Sequence, residues 1–186
     1  MVKELLYKIN FVYINREFFY KHNFIEILDM GNIEKAIKRK YAFLSFKYED
    51  NNILIPLRTV LPSYNFKIGF PLPTPNKPYA GLDYRKILII NNASCLSYGN
   101  KSIPRSQMRL VQLNYKRIEK ETKTFIDEYI EKSIKGIEFY DKRFKYSSLH
   151  NFHKELKIDE KILKKELENN LEHIDKVKRK ENENEI

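Results

Sequence analysis

The stretch Tyr41-Ala42-Phe43-Leu44-Ser45-Phe46-Lys47-Tyr48-Glu49-Asp50-Asn51-Asn52-Ile53-Leu54-Ile55-Pro56-Leu57-Arg58-Thr59 reads as two strands about a turn. In Tyr41–Tyr48, Tyr41, Phe43, Ser45 and Lys47 alternate with Ala42, Leu44, Phe46 and Tyr48, the period-two pattern of a pleated strand. Glu49-Asp50-Asn51-Asn52 predicts the turn, because Asp and Asn tolerate the left-handed backbone that tight loops demand. Ile53–Thr59 predicts the returning strand. Pro56 has no N–H to give to a ladder, so this strand lies at a sheet edge or bends there.

Outward from this hairpin, the N-terminal half continues to read as β. Tyr7–Ile14 is aromatic and β-branched, Lys86–Asn91 reads as a buried strand, and Ala93–Tyr98 as a shorter one. Pro62–Pro78 carries repeated prolines and predicts an extended surface loop. Asp29–Lys40 fits a short helix and a loop equally. A long helix is predicted to begin between Ser102 and Ser106, with Pro104 tolerated at its start. Met108, Val111, Tyr115, Ile118, Phe125 and Tyr129 recur along it at helical steps, with Thr122 filling the series, and Lys132, Lys135 and Gly136 mark its end. Leu149, Phe152 and Leu156 suggest a shorter helix capped by Ser147 or Ser148. A last helix after Asp159 carries Leu163, Leu167, Leu171 and Ile174 on one face.

The fold class is therefore α+β: a small, strongly bent antiparallel sheet or barrel with packed α-helices and a helical C-terminal extension. Residues 1–175 form one domain, β-rich over 1–100 and helical over 102–175, and the charge-rich tail 176–186 is predicted to be disordered.

The 186-residue chain carries 35 Lys+Arg against 25 Asp+Glu, a net charge of +10 and a pI near 9.4. That excess points first to a polyanionic partner, more weakly to an anionic membrane or an acidic protein, and otherwise serves solubility. No apolar run approaches the roughly 20 residues of a membrane span, and the N-terminus shows no signal-peptide core, so the expected compartment is the cytoplasm. The single Cys95 cannot form an internal disulfide and reads as a packed residue. Phosphate-binding glycine motifs, the His-Glu-x-x-His helix and Cys/His pairs at zinc spacing are all missing. His150 and His153 read as a solvent-facing pair rather than a metal site, and His22 and His173 stand apart. No metal and no cofactor are expected.

A nuclease built from this inventory must work without a metal ion. In metal-free RNA cleavage the substrate's 2′-OH attacks the adjacent phosphate, so the protein supplies no nucleophile. It must orient the hydroxyl, help remove its proton, stabilise charge on phosphorus and help the 5′-oxygen leave. The segment Ile55-Pro56-Leu57-Arg58-Thr59, followed by Ser63, Tyr64 and Lys67, offers suitable groups at close spacing. Arg58 suits a phosphate, Thr59 offers a short hydroxyl, and Lys67 offers a proton or charge. The same residues also fit a solvated strand end running into a basic loop.

The order of features resembles the ToxN/AbiQ-type toxins of type III toxin–antitoxin systems, especially the TenpN-like ones. It lies in a first strand (Lys40-Tyr41-Ala42-Phe43-Leu44-Ser45-Phe46), a second ending in Pro56-Leu57-Arg58-Thr59, the apolar strand of Gly81-Leu82-Asp83-Tyr84-Arg85-Lys86-Ile87-Leu88-Ile89-Ile90, and the long helix. The resemblance spans roughly Tyr7 to Tyr129. It implies a Kid/MazF-like barrel with added helices, RNA cleavage leaving a cyclic phosphate, cellular or phage RNA as substrate, and abortive infection as the setting. The implied partner is a small tandem-repeat antitoxin RNA of pseudoknot type, trimmed by the toxin and assembled with it into a closed complex. Carried over, the catalytic set is Thr59 and Arg58, then Lys40, with Tyr13 and Lys67 more loosely. In ToxN-like members two hydroxyl residues follow Pro-Leu and a lysine comes soon after. Here Arg58 takes the first place and the next lysine is Lys67.

Ser63, Tyr64, Arg85, Lys86, Arg105, Ser106, Arg109 and Lys116 complete the expected RNA-binding set. Those on the long helix read equally as a groove for the antitoxin and as a solvated face. A helix N-terminus near Ser106 favours a phosphate. Tyr64, Phe66, Phe70 and Tyr79 could stack on bases or pack on the core. Two other classes stay open: a non-catalytic nucleic-acid-binding protein of a phage or mobile element, and an interaction subunit docking through Leu163, Leu167 and Leu171.

Overall fold

In the computed structural model the hairpin forms as β2 (Tyr41–Tyr48) and β3 (Asn51–Arg58), antiparallel, with Tyr41 opposite Pro56 and Tyr48 opposite Asn51. The structure describes residues 10–62, 68–97 and 103–184, apart from 21–23, 25, 28 and 30. The turn is shorter than its composition suggests, because Glu49 alone takes the left-handed backbone (φ 51°). Asn51 and Asn52 join the strand instead. The Asn51 amide donates to Glu155 O at 2.8 Å and accepts from Asn91 Nδ2 at 2.8 Å, which ties the strand's start to its neighbours.

Around the hairpin lie β1 (Asn10–Ile14), β4 (Gly69–Pro71), β5 (Gly81–Asp83), β6 (Leu88–Ile89) and β7 (Leu96–Ser97), in the order β4-β5-β3-β2-β1-β7, with β6 also on β3. The result is a curled antiparallel half-barrel. Among the described residues β4 and β7 do not pair with each other, so the sheet stays open. β3 is central, not an edge. Pro56 is accommodated because the outer partner changes there: β6 pairs Ile53 and Leu54, β5 pairs Leu57 and Arg58, and nothing on that side needs the missing N–H.

Two other expectations change. The Pro62–Pro78 segment is not all surface loop, since Ile68, Phe70 and Leu72 are buried and β4 pairs β5. Lys86–Asn91 is strand only at β6, after a 3-10 turn over Tyr84–Lys86 capped by Asp83. Short helices α1 (Arg16–Tyr20) and α2 (Ile33–Ala36) fill the link to β2.

The predicted long helix is broken at Asn114 into α3 (Arg105–Leu113) and α4 (Tyr115–Ile134). The Asn114 side chain bonds Leu110 O at 2.8 Å, a local alternative to continued helix. Tyr115, Ile118, Phe125, Ile126 and Tyr129 bury one face of α4 in the core with Tyr41, Phe46 and Ile53–Ile55 of the hairpin. Gly136 (φ 65°) closes α4, with Gly136 N–H donating to Ser133 O and Ile137 N–H to Lys132 O, the paired bonds of a Schellman cap. Ser148–Phe152 is a 3-10 turn capped by Ser147. α5 (Ile158–Asn184) is anchored by buried Ile158 and half-buried Ile162; beyond them Leu163, Leu167, Leu171 and Ile174 are exposed. Its helix runs through 176–184, the stretch whose composition predicts a disordered tail. Glu and Lys are good helix formers, and Lys164–Glu168 and Glu172–Lys176 sit at i,i+4. Among the described residues no helix is long and apolar enough to cross a membrane.

Candidate nucleic-acid interface

Where β3 ends, the chain leaves a cleft of about 510 Å³. Its walls come from four places: the basic run after α2, the end of β3, the turn at Thr74–Lys77, and the start of α3. Lys35, Lys38, Arg39, Lys40, Arg58 and Lys77 line it, with Thr59, Thr74, Asn76 and Gln107 as polar neighbours and, among the described residues, no carboxylate.

Local hydrogen bonds explain why these cations converge. Arg39 Nη1 donates to Leu57 O at 3.1 Å, and Leu57 N–H donates to Lys40 O at 3.0 Å, so the Lys35–Lys40 segment is clamped beside Pro56-Leu57-Arg58-Thr59. Asp29 orients the clamp, accepting from Arg39 Nε at 2.8 Å and lying 3.0 Å from Lys35 Nζ. Burial opposes ionisation of Asp29, but the hydrogen bonds from Arg39 and Lys35 overcome it and hold its carboxyl below the usual aspartate range.

Arg58 is held from the other side. Its Nη1 donates to Asp83 Oδ2 at 2.8 Å, while Asp83 Oδ1 accepts the Arg85 N–H at 3.1 Å. Asp83 is wholly buried, whereas the Arg58 side chain is 27% exposed and keeps donors for the cleft. Thr59, one residue on, is exposed. Reciprocal bonds between Thr74 and Lys77 (3.1 and 2.9 Å) close the turn that presents Asn76 and Lys77. Gln107 Nε2 donates to Leu72 O at 2.6 Å and pins α3 against the strand side. Pro104 is the N-cap and no side chain caps the first turn, so the positive end of α3 sits at the rim. Among the described residues the lining cations are joined by no acid, and the carboxylates of Asp29 and Asp83, which engage Lys35, Arg39 and Arg58, lie outside the lining. A lining of this charge suits a phosphate backbone.

No protein-family model, curated protein or solved structure matches this chain.

The cleft gathers Lys40, Arg58 and Thr59 of the expected catalytic set. Tyr13 is half-buried in β1 opposite Ser97 and does not line it. Ser63, Tyr64 and Lys67 lie outside the described residues. Arg105, Ser106 and Arg109 are exposed on α3 just past the Pro104 rim. Arg85 turns toward Asp83 (Nε to Oδ1 3.5 Å), and Lys116 pairs with Glu119 at 3.1 Å. Lys86 is turned inward: its ammonium donates to Tyr146 O at 2.7 Å and lies 3.0 Å from the Glu26 carboxylate. Burial lowers its pKa despite Glu26, the mark of a packing lysine rather than a phosphate contact. Phe70 is buried under the Arg117 guanidinium, so it packs rather than stacks on bases.

Lys35, Lys38, Arg39 and Lys77 were not anticipated. The signal for three of them was present, since Lys35-Ala36-Ile37-Lys38-Arg39-Lys40 is a basic run entering a strand. His150 and His153 are not solvent-facing either. Both bond the Tyr129 hydroxyl, at 2.9 and 2.7 Å. Among the described residues no three His, Cys, Asp or Glu side chains converge as a metal site.

Proposed function

We propose that the protein is a metal-independent endoribonuclease, the toxin of a type III toxin–antitoxin system, acting through the cleft at the end of β3. The observation that carries the reading is that Arg58, Thr59 and Lys40 share one open cleft, lined by cations and, among the described residues, by no carboxylate. A scissile phosphate seats between Arg58 and the lysines. Thr59 orients the neighbouring 2′-OH. The 2′-oxygen attacks phosphorus as the P–O5′ bond breaks. Lys40 protonates the departing 5′-oxygen, and the 2′-hydroxyl proton passes to solvent. The products are a 2′,3′-cyclic phosphate and a 5′-OH end. Fixed cations aimed at a pentavalent dianion act without reorganising, and that is where the rate gain lies.

On this reading the half-barrel is a Kid/MazF-like scaffold, the protein works in the cytoplasm, and a repeated pseudoknot RNA occupies the cleft as antitoxin in a hetero-oligomeric assembly. Expression of the chain alone then halts growth, and Thr59→Ala relieves the arrest. Full toxicity of Thr59→Ala contradicts the assignment. One observation favours the alternative of a non-catalytic nucleic-acid-binding protein: among the described residues no imidazole lines the cleft, and Arg58 is partly committed to Asp83. Binding in a gel assay without new RNA ends decides for it.

A further inference from the structure

Beyond α4 the segment Ile137–Tyr146 turns aromatic rings outward. Tyr140 is 86% exposed, Phe139 53% and Tyr146 49%. Rings this open contribute little to the core, and lysines lie beside Tyr140 and Tyr146. Lys142 and Lys145 are exposed, and Lys145 Nζ stands 5.3 Å from the Tyr146 ring centre. Tyr140, Lys142 and Lys132 border one shallow hollow of about 680 Å³ together with Ile137 and Asp141. The acids nearby are already engaged or hidden. Asp141 is held by Arg143 at 2.8 Å, and Glu138 is buried.

Phe139 is a prepared platform. Its ring lies parallel to the His150 imidazole, centroids 4.4 Å apart and interplanar angle 0°. His150 is itself fixed. Its Nε2 sits 3.0 Å from Phe144 O and its Nδ1 2.9 Å from the Tyr129 hydroxyl, so both ring nitrogens are engaged. One face of Phe139 is therefore covered by a locked ring, and its exposure belongs to the opposite face and rim.

We propose that this aromatic and basic surface is a second RNA-contacting site, which stacks unpaired bases on Phe139 and Tyr140 while Lys142 and Lys145 hold the backbone. Open rings interleaved with lysines fit single strands, whose bases offer free faces. A duplex hides those faces and presents only phosphate. The surface shares no residue with the lining of the β3 cleft, and its function does not depend on whether that cleft cleaves RNA.

The test is fluorescence anisotropy of the intact protein at one fixed salt concentration. The probes are a 2′-O-methylated oligouridylate and a 2′-O-methylated duplex of the same length, neither of which 2′-OH attack can cleave. Tyr140→Ala, at a position too exposed to endanger the fold, and Phe139→Ala/Tyr140→Ala lower single-strand affinity, the double variant by about tenfold, and leave duplex affinity unchanged. Lys142→Ala/Lys145→Ala weakens both probes. Unchanged single-strand affinity in Tyr140→Ala and in the lysine pair overturns the proposal and assigns the patch to a protein partner. Equal losses on both probes in the aromatic variants overturn base stacking.

Discussion

Arg58, at the mouth of the cleft, donates from Nη1 to the wholly buried carboxylate of Asp83 at 2.8 Å. The cation proposed to act in catalysis is thereby aimed by an anion that solvent never reaches. Removing Arg58 alone takes from that anion its closest cation, leaving the Arg85 N–H and guanidinium and the charge of Lys86. Arg58→Ala is therefore expected to cost about 2–3 kcal/mol of stability, because an unpaired buried charge is expensive. Arg58→Ala/Asp83→Asn recovers most of it while remaining inactive. Urea unfolding of the two variants checks this, and equal stability losses would show that Asp83 does not depend on Arg58.

On the proposed mechanism, Thr59 separates chemistry from folding. It is exposed at a strand end, so Thr59→Ala leaves stability within about 0.5 kcal/mol. Cleavage falls about a hundredfold or more, with little change in RNA affinity, which cations dominate. Rates and affinities measured on the same preparation read both effects.

Gly81 sets the position of Arg58. The two are paired across β3 and β5, and a Cβ on Gly81 meets Phe70 O at 2.4 Å and Leu61 Cδ1 at 2.5 Å. A backbone oxygen cannot swing aside. Gly81→Ala forces the strands apart, costs about 1–3 kcal/mol, and lowers cleavage by displacing Arg58. Thermal melts and cleavage rates should fall together, and Asp83→Asn should add little further to the activity loss.

Acid should loosen the C-terminal half. His153 is partly buried beside His150, and burial first, then that neighbour, holds its pKa below the ordinary 6.5, against the opposing pull of Glu138 and Asp159. The unfolded chain thus binds the proton more readily than the folded one. Stability is full above about pH 6.5 and declines as pH falls from there toward the depressed folded value. His153→Gln keeps a donor for Tyr129 and removes the titration, so its melting temperature falls less on going from neutral pH into that range. Parallel curves for wild type and variant contradict this.

Much of the scaffold was legible where periodicity is strong. β2 matches its alternating stretch to the residue, and Gly136 ends α4 as its missing Cβ allows. Legibility failed where distant partners decide. Pro56 left an edge or a bend open, and it sits in a central strand where β6 gives way to β5. Lys86 and Arg85 read as phosphate contacts because composition cannot reveal Glu26 or Asp83 waiting across the fold. His150 and His153 looked like a helix-surface pair, yet they converge on a tyrosine of α4. Of the cleft, the Pro-Leu-Arg-Thr wall was readable from local chemistry. On the opposing side Lys40 and the basic run before it were readable, but not that Lys35, Lys38 and Arg39 face the cleft, because α2 is too short for propensity to declare it and Asp29 reaches Lys35 and Arg39 through tertiary contact.

The most direct measurement is end-labelled RNA incubated with purified protein in excess EDTA, with the new termini mapped. Cleavage that persists undiminished, yields 2′,3′-cyclic phosphate and 5′-OH ends, and disappears in Thr59→Ala is the predicted result. Cleavage abolished by the chelator, or products carrying 5′-phosphates, would contradict a reaction driven by Arg58, Thr59 and Lys40 alone.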